Sequence, residues 1–146
     1  MYEGGIRVPF IVRWPGKIGA GTKSNQIAAA WDILPTCAAL GHFKLPADIQ
    51  GLSLLPTLIH SGKQEQHQYL YWEFHENGGS KAVREGRWKL VCRHATDPAK
   101  ISYELYDIDA DPSELNDLAD RAPERVEALK KRMTRARIPV REFPFE

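Results

Sequence analysis

The residues of this 146-residue chain that could do chemistry are five histidines, two cysteines and a spaced run of aspartates. Asp107-Ile-Asp109-Ala-Asp111 opens with the alternating carboxylates of a calcium loop. Pro112 stands where that loop needs its glycine and Leu118 where it needs the closing glutamate, so an aspartate-rich turn is the better reading. His75-Glu76-Asn77-Gly78-Gly79 lacks the second histidine of a zinc-binding helix. His42, His60, His67 and His94 show no ligand spacing either. Gly51-Leu52-Ser53-Leu54-Leu55 lacks the final glycine of a nucleophile elbow. Cys37 and Cys92 form no C-x-x-C pair, and two buried thiols or one disulfide both stay open. No phosphate-cradling G-x-x-x-x-G-K-[ST] run occurs.

The elements that must position these residues change character along the chain. Hydrophobic and charged fractions of 42% and 27% with a net charge of +1 fit one ordinary globular core. That total argues for neither nucleic acid nor an anionic membrane as partner, and no apolar run of about 18 residues occurs. Charge is uneven locally: seven acids and no base lie between Glu104 and Asp120, and bases dominate from Arg125 to Arg141, as two solvated faces would.

Gly4-Gly5 followed by Phe10-Ile11-Val12 and Trp14-Pro15-Gly16 predicts a loop, a buried strand and a turn. Gln26 to Leu40 is apolar nearly all round and predicts a buried helix with a break at Pro35, capped anew by Asp32 or Thr36 and ended by Gly41. Gly51 to Ile59 predicts short helical turns interrupted at Pro56, and the polar run Ser61 to Gln68 is the best internal boundary. Beyond it the period becomes two: Leu70, Trp72 and Phe74 alternate with Tyr71, Glu73 and His75. Asn77-Gly78-Gly79-Ser80 predicts a turn, Lys81–Arg84 and Arg87–Arg93 a hairpin about Glu85-Gly86, and Tyr103–Ile108 a fourth strand. A helix is expected from about Pro123, with Val126, Leu129 and Met133 as its apolar stripe. Trp14, Trp31, Trp72 and Trp88 occupy apolar positions and read as core.

The opening stretch YEGGIRVPFIVRWPGKI resembles the segment of the sulfatase family (arylsulfatases and carbohydrate sulfatases, within the alkaline-phosphatase-like superfamily) that lies just past an active-site lysine. The resemblance continues through a helix carrying D-x-x-P-T, the run G-x-S-L-x-P-x-L, YWEFHENGGSKAVREGRWKLV and ELYDIDADPSELNDLA. It implies an α+β fold, the C-terminal piece of an α/β sulfatase: one buried strand and helices, then a small four-stranded antiparallel sheet packed with a C-terminal helix. Residues 1–62 would belong to the main domain and 63–137 to the C-terminal subdomain, with 138–146 an unplaced tail.

The resemblance also implies what to expect of the site. The intact family enzyme uses a formylglycine made within C/S-x-P-x-R and a divalent cation, calcium. Neither cysteine and no serine here has that context, so no catalytic residue, metal ligand or cofactor is assigned to this chain, and it is expected to be inactive alone. Glu3, Gly4 and Gly5 match the active-site loop, and Arg7 and His75 are candidate contacts to substrate, a sulfated carbohydrate or an aryl sulfate. A partly buried ion pair for Arg7 and a plain surface site for His75 are the competing readings. Glu73 and Arg84 are weaker candidates, with cross-strand pairing the alternative. The expected partner is an N-terminal sulfatase portion, or a second copy meeting exposed apolar surface. A non-catalytic binding module is the other function weighed. No leader segment opens the chain, which leaves its compartment unknown.

Overall fold

The computed structural model describes residues 1–141. Contacts divide the chain into two units, Met1–Pro9 with the chain from Gln68 onward, and Phe10–His67.

The first unit is built on a meander. Strands β1 (Leu70–Phe74), β2 (Ser80–Glu85), β3 (Trp88–Arg93) and β4 (Ser102–Asp107) lie in the order of the sequence, each antiparallel to the next. Glu85 pairs with Trp88 across a two-residue turn whose first member, Gly86, sits at φ +59. A side chain there would be strained, so the glycine fixes this register. Between β1 and β2, Asn77, Gly78 and Gly79 all take positive φ, forming the predicted turn. The end of β3 ties into it, with Thr96 N–H and Oγ1 both donating to the Gly78 carbonyl.

Alternation decides what each face of the sheet holds. On one face Val83, Leu90, Cys92 and Leu105 pack against Leu129 and Met133 of α4 (Pro123–Ala136), a 14-residue helix with Pro123 in its first turn. The predicted stripe is therefore the buried one, and each fully buried Leu contributes about 1.5–3 kcal/mol relative to exposure. On the other face Ala82, Val91, Tyr106 and Ile108 pack with Met1 and Trp72. There the short helix α1 (Glu3–Ile6) lies against the sheet through Glu3. The outer edge of β4 is occupied by the chain's return: Leu105 N–H donates to Asp117 Oδ1 at 2.9 Å, and Leu118 N–H to the Leu105 carbonyl at 2.8 Å.

The second unit holds a 3₁₀ turn, Ala30–Asp32, then α2 (Ile33–Gly41) and α3 (Leu55–Leu58). The turn and α2 replace the longer helix expected from Gln26. Pro35 causes no break, because it falls in the first turn of α2, where its missing N–H costs nothing. The left-handed residue closing the helix is His42 (φ 55) rather than Gly41. Pro56 likewise starts α3 instead of interrupting it. Gly51 passes so close to the 3₁₀ turn that a Cβ would stand 2.2 Å from the Trp31 carbonyl oxygen, so only glycine fits.

Two expectations fail outright in this unit. The buried strand at Phe10–Val12 does not form, and Phe10 (57%) and Ile11 (88%) are strongly exposed. A strand needs a neighbour to satisfy its backbone, and no described strand pairs with this segment. The helix read as buried shows Ile33, Leu34 and Leu40 to solvent, and Trp31, read as core, is 37% exposed. Both cysteines are free thiols, Cys92 buried as one reading required and Cys37 exposed against it. Of the unplaced tail 138–146, residues 142–146 lie outside the described residues.

Candidate functional site

The sequence-predicted residues gather in two clusters on opposite faces of the sheet. The first is centred on a lysine. Lys89 stands at an inward position of β3 and is wholly buried, its Nζ 2.9 Å from Glu3 Oε1 and 2.8 Å from Glu114 Oε1. Glu114 Oε2 also accepts the Glu3 backbone N–H, so the same carboxylate holds both the lysine and the start of α1. Arg84, one strand over and opposite Lys89, approaches Glu3 Oε2 at 3.8 Å and Asp109 at 3.9 Å. A lysine can be buried only when its charge is matched, and two carboxylates do that here, with Glu3 also facing the neighbouring Arg84 guanidinium. Tyr2 adds a hydroxyl bond to Glu104 and an edge contact to Tyr106 at 6.2 Å. Burial, then the Glu104 carboxylate, push the Tyr2 hydroxyl pKa up to about 12. The turn Tyr2–Ile6 is thus pinned to the sheet. Gly4 and Gly5 sit within it, exposed, with open space around them. Arg7 follows at its end and is exposed, with no ion pair among the described residues, so the partly buried pair weighed for it does not form.

The second cluster is organised by Glu73, on the helix-covered face. Its carboxylate accepts from Tyr71 Oη at 2.5 Å, from Arg137 Nε at 3.0 Å and lies 3.2 Å from His75 Nε2. Lys81 stands opposite it on β2. Burial and the hydrogen bond to Glu73 raise the Tyr71 hydroxyl well above its ordinary range, so it stays protonated and donates. His75 is half-buried with its ring oriented by Glu73. A carboxylate that fixes an imidazole in this way defines which nitrogen bonds to it and where the other points.

Asp32, in the second unit, is the site feature that sequence reading placed least well. Expected only as a helix cap, it is fully buried and accepts from the backbone N–H of Ala29 and Leu52, both at 2.8 Å. His67 Nε2 lies 2.9 Å from both its oxygens. It clamps the 51–54 segment onto the start of α2, which is a structural duty. Lys89 and Glu114 were not singled out at all. The available signal was a lysine at an inward position of the apolar run Trp88-Lys89-Leu90-Val91-Cys92.

Asp107 is engaged by Arg87, whose Nε donates to it at 2.7 Å, and it also accepts the Ala110 N–H. It caps a turn, as the failed calcium-loop spacing predicted. Among the described residues no three His, Cys, Asp or Glu side chains converge as a metal site would require. These side chains do not form a calcium-binding set. No helix among the described residues is long and apolar enough to cross a membrane.

Comparison with known proteins meets this geometry directly. The family profile of the N-sulphoglucosamine sulphohydrolase C-terminal region matches residues 1–139. The chain belongs to the sulfatase family. Human arylsulfatase A is 34% identical over 153 residues, covering 88% of this chain and 30% of that protein. The N-acetylglucosamine-6-O-sulfatase of Bacteroides thetaiotaomicron is 34% identical over 130 residues, covering 84% and 23%. Among solved structures, a protein in complex with its substrate D-glucosamine-2-N,6-O-disulfate superposes with a TM-score of 0.70 at 26% identity, over 86% of this chain and 27% of that one. The chain thus spans less than a third of the length of these proteins, while the matches take in most of the chain itself.

Proposed function

We propose that this chain is the C-terminal portion of a sulfate ester hydrolase, supplying scaffold and part of the substrate cleft. The intact enzyme would convert a sulfate ester and water to an alcohol and sulfate. The formylglycine and calcium that carry that chemistry in the family would come from an N-terminal portion, and the 146-residue chain alone would not turn over. Residues 1–62 then derive from the main domain and 63–137 form the C-terminal subdomain. A sulfated amino sugar is the substrate class supported by the 6-O-sulfatase relative and by the disulfate-bound neighbour.

The observation that carries the proposal is the buried Lys89–Glu3 pair. It ties the turn that resembles the active-site loop to the sheet, 86 positions away in sequence. In this reading Glu3 holds the loop, Gly4 and Gly5 leave room for close approach, Arg7 presents a cation, and Glu73 sets the His75 ring toward substrate. The apolar side chains left exposed in the second unit, Phe10, Ile11, Leu34 and Phe43 among them, would be covered by the N-terminal portion or by a second copy.

The test is a graft. Residues 1–146 replace the matching C-terminal region of the Bacteroides 6-O-sulfatase, and hydrolysis of glucosamine 6-sulfate is followed in the chimera and in the chain alone. Turnover by the chimera with none by the chain alone is expected. Turnover by the chain alone, or a folded chimera that is inert, overturns the proposal and leaves a non-catalytic binding module as the better account.

A further inference from the structure

The turn after β4 points one carboxylate inward from an exposed stretch. Ser113, Leu115 and Asn116 face solvent, whereas the Glu114 side chain is 2% exposed. Glu114 also holds its backbone in the left-handed region (φ 54), where a Cβ is disfavoured and glycine is the easy choice. The turn is tied to β4 on both sides of it. Before it, Asp111 N–H donates to the Asp107 carbonyl at 2.7 Å; after it, Asp117 Oδ1 accepts the Leu105 N–H at 2.9 Å. Asp111 Oδ2 closes the turn by accepting the Asn116 N–H at 2.8 Å. Glu114 is therefore presented from a mount fixed at both ends.

From there it reaches the turn Tyr2–Ile6 by two routes. Its Oε2 accepts the backbone N–H of Glu3, and its Oε1 lies 2.8 Å from Lys89 Nζ. Lys89 Nζ in turn donates to Glu3 Oε1 at 2.9 Å. These contacts close a triangle among residues 3, 89 and 114, which fixes both the backbone and the side chain of Glu3. The Glu3 N–H lies in the first turn of α1, where helix geometry supplies no partner of its own. The turn is thus gripped at its first two residues, Tyr2 on Glu104 and Tyr106, and Glu3 on the triangle. Beyond that grip, a Cβ added at Gly4 or Gly5 would meet nothing within 4 Å among the described residues.

We propose that Glu114 is a positioning residue, acting through Glu3 to hold the turn Tyr2–Ile6 where it borders the substrate cleft. Only the cleft rests on the sulfatase reading above; the hold on Glu3 stands on the triangle itself. A well-packed apolar set is often as stable as a buried ion pair, so what charge adds here is a defined geometry. A glutamate, rather than glycine, at a left-handed position points the same way.

The experiment uses two variants. Glu114→Gly suits the left-handed backbone and removes only the side chain, while Glu114→Gln keeps an oxygen for the Glu3 N–H. Amide exchange in the full chain is read first, at Glu3, Gly5, Ile6 and Arg7, whose N–H groups are bonded. Glu114→Gly should quicken exchange there by about tenfold or more while Val83 and Leu90 keep their protection. Glu114→Gln should fall between it and the parent, and carries the same readings at smaller amplitude where Glu114→Gly fails to fold. In the chimera above, Glu114→Gly should lower kcat by about tenfold to a hundredfold and leave KM within about threefold, because a displaced turn costs orientation more than binding. Leu129→Ala, a core change on the opposite face of the sheet, should leave kcat per folded molecule unchanged. Equal quickening at Val83 and Leu90, or none at residues 3–7, overturns the proposal. So does a loosened turn in a chimera whose kcat is untouched. An inert parent chimera brings down the hydrolase reading alone, and exchange then decides whether Glu114 holds the turn.

Discussion

In the sheet unit Lys89 is wholly enclosed, while in the unit spanning Phe10–His67 Ile11 is 88% exposed. Each inverts the usual placement, and for different reasons. The lysine is inside because Glu3 and Glu114 meet its charge within 2.9 Å, so its burial is complete in the chain as it stands. The isoleucine is outside because no described element supplies the surface that would cover it. One unit has closed its accounts in charge; the other presents an apolar face that a partner would bury. An ion pair can be satisfied by three side chains, whereas a buried strand needs a whole neighbouring sheet.

The largest expected effect breaks the sheet side of this contrast. Lys89→Met leaves two carboxylates buried without their cation and should cost about 3–5 kcal/mol in urea unfolding followed by tryptophan fluorescence. A loss under about 1 kcal/mol would mean that the pair is solvated and the contrast false. Leu129→Ala comes next, removing a side chain 3% exposed at the centre of the helix–sheet contact, at about 2–4 kcal/mol by the same measurement.

Asp32→Ala tests the second unit at its one fully buried carboxylate. Losing two backbone bonds and the His67 contact should cost about 1.5–3 kcal/mol locally. Amide exchange should quicken at 51–54 while β2 and β3 keep their protection. Equal quickening in the sheet would show that the two units unfold as one.

Smaller still is the acid response at Asp107. The hydrogen bond from Arg87, first among the causes, holds the Asp107 carboxyl below its ordinary value. A folded pKa below the unfolded one gives stability that is fully present above the unfolded pKa and is lost as pH falls through the folded one. Arg87→Gln should therefore lower the melting temperature modestly near neutrality, flatten its fall through the carboxylate range, and change nothing once pH lies below the folded pKa. Arg87 is half exposed, so the effect is modest. The smallest stability change is expected for Ile11→Ser, within about 0.5 kcal/mol. Its effect should appear instead as reduced self-association in sedimentation velocity; unchanged association would remove that patch as a contact surface.

The sheet and α4 were legible because their signals are local. Period-two alternation, Gly86 in its turn and the Val126–Leu129–Met133 stripe each fix one element without reference to the rest of the chain. The strand expected at Phe10–Val12 was misread for the complementary reason: an apolar run states that it must be covered but does not supply the cover. Helix boundaries around Pro35 and Pro56 were missed because proline interrupts a helix only beyond its first turn. At the candidate site, Glu3 and His75 were visible through the family resemblance. Glu73 was weighed only as a weaker candidate, and Lys89 and Glu114 were not seen, because these groups become partners only once the strands are in register.

The meander also sets an order of events. Every strand pairs with its immediate neighbour in sequence, so the sheet assembles through short loops, which close quickly and at little entropic cost. The bond from Lys89 to Glu3 spans 86 positions and cannot share that speed. During synthesis Glu3 leaves the ribosome first and Lys89 long after it, so the acid waits in water for a base that arrives on a half-made sheet. Pulse-labelled exchange during refolding should protect β2 and β3 before residues 3–6. Residues 3–6 would then find their places only after the sheet made later than them has formed.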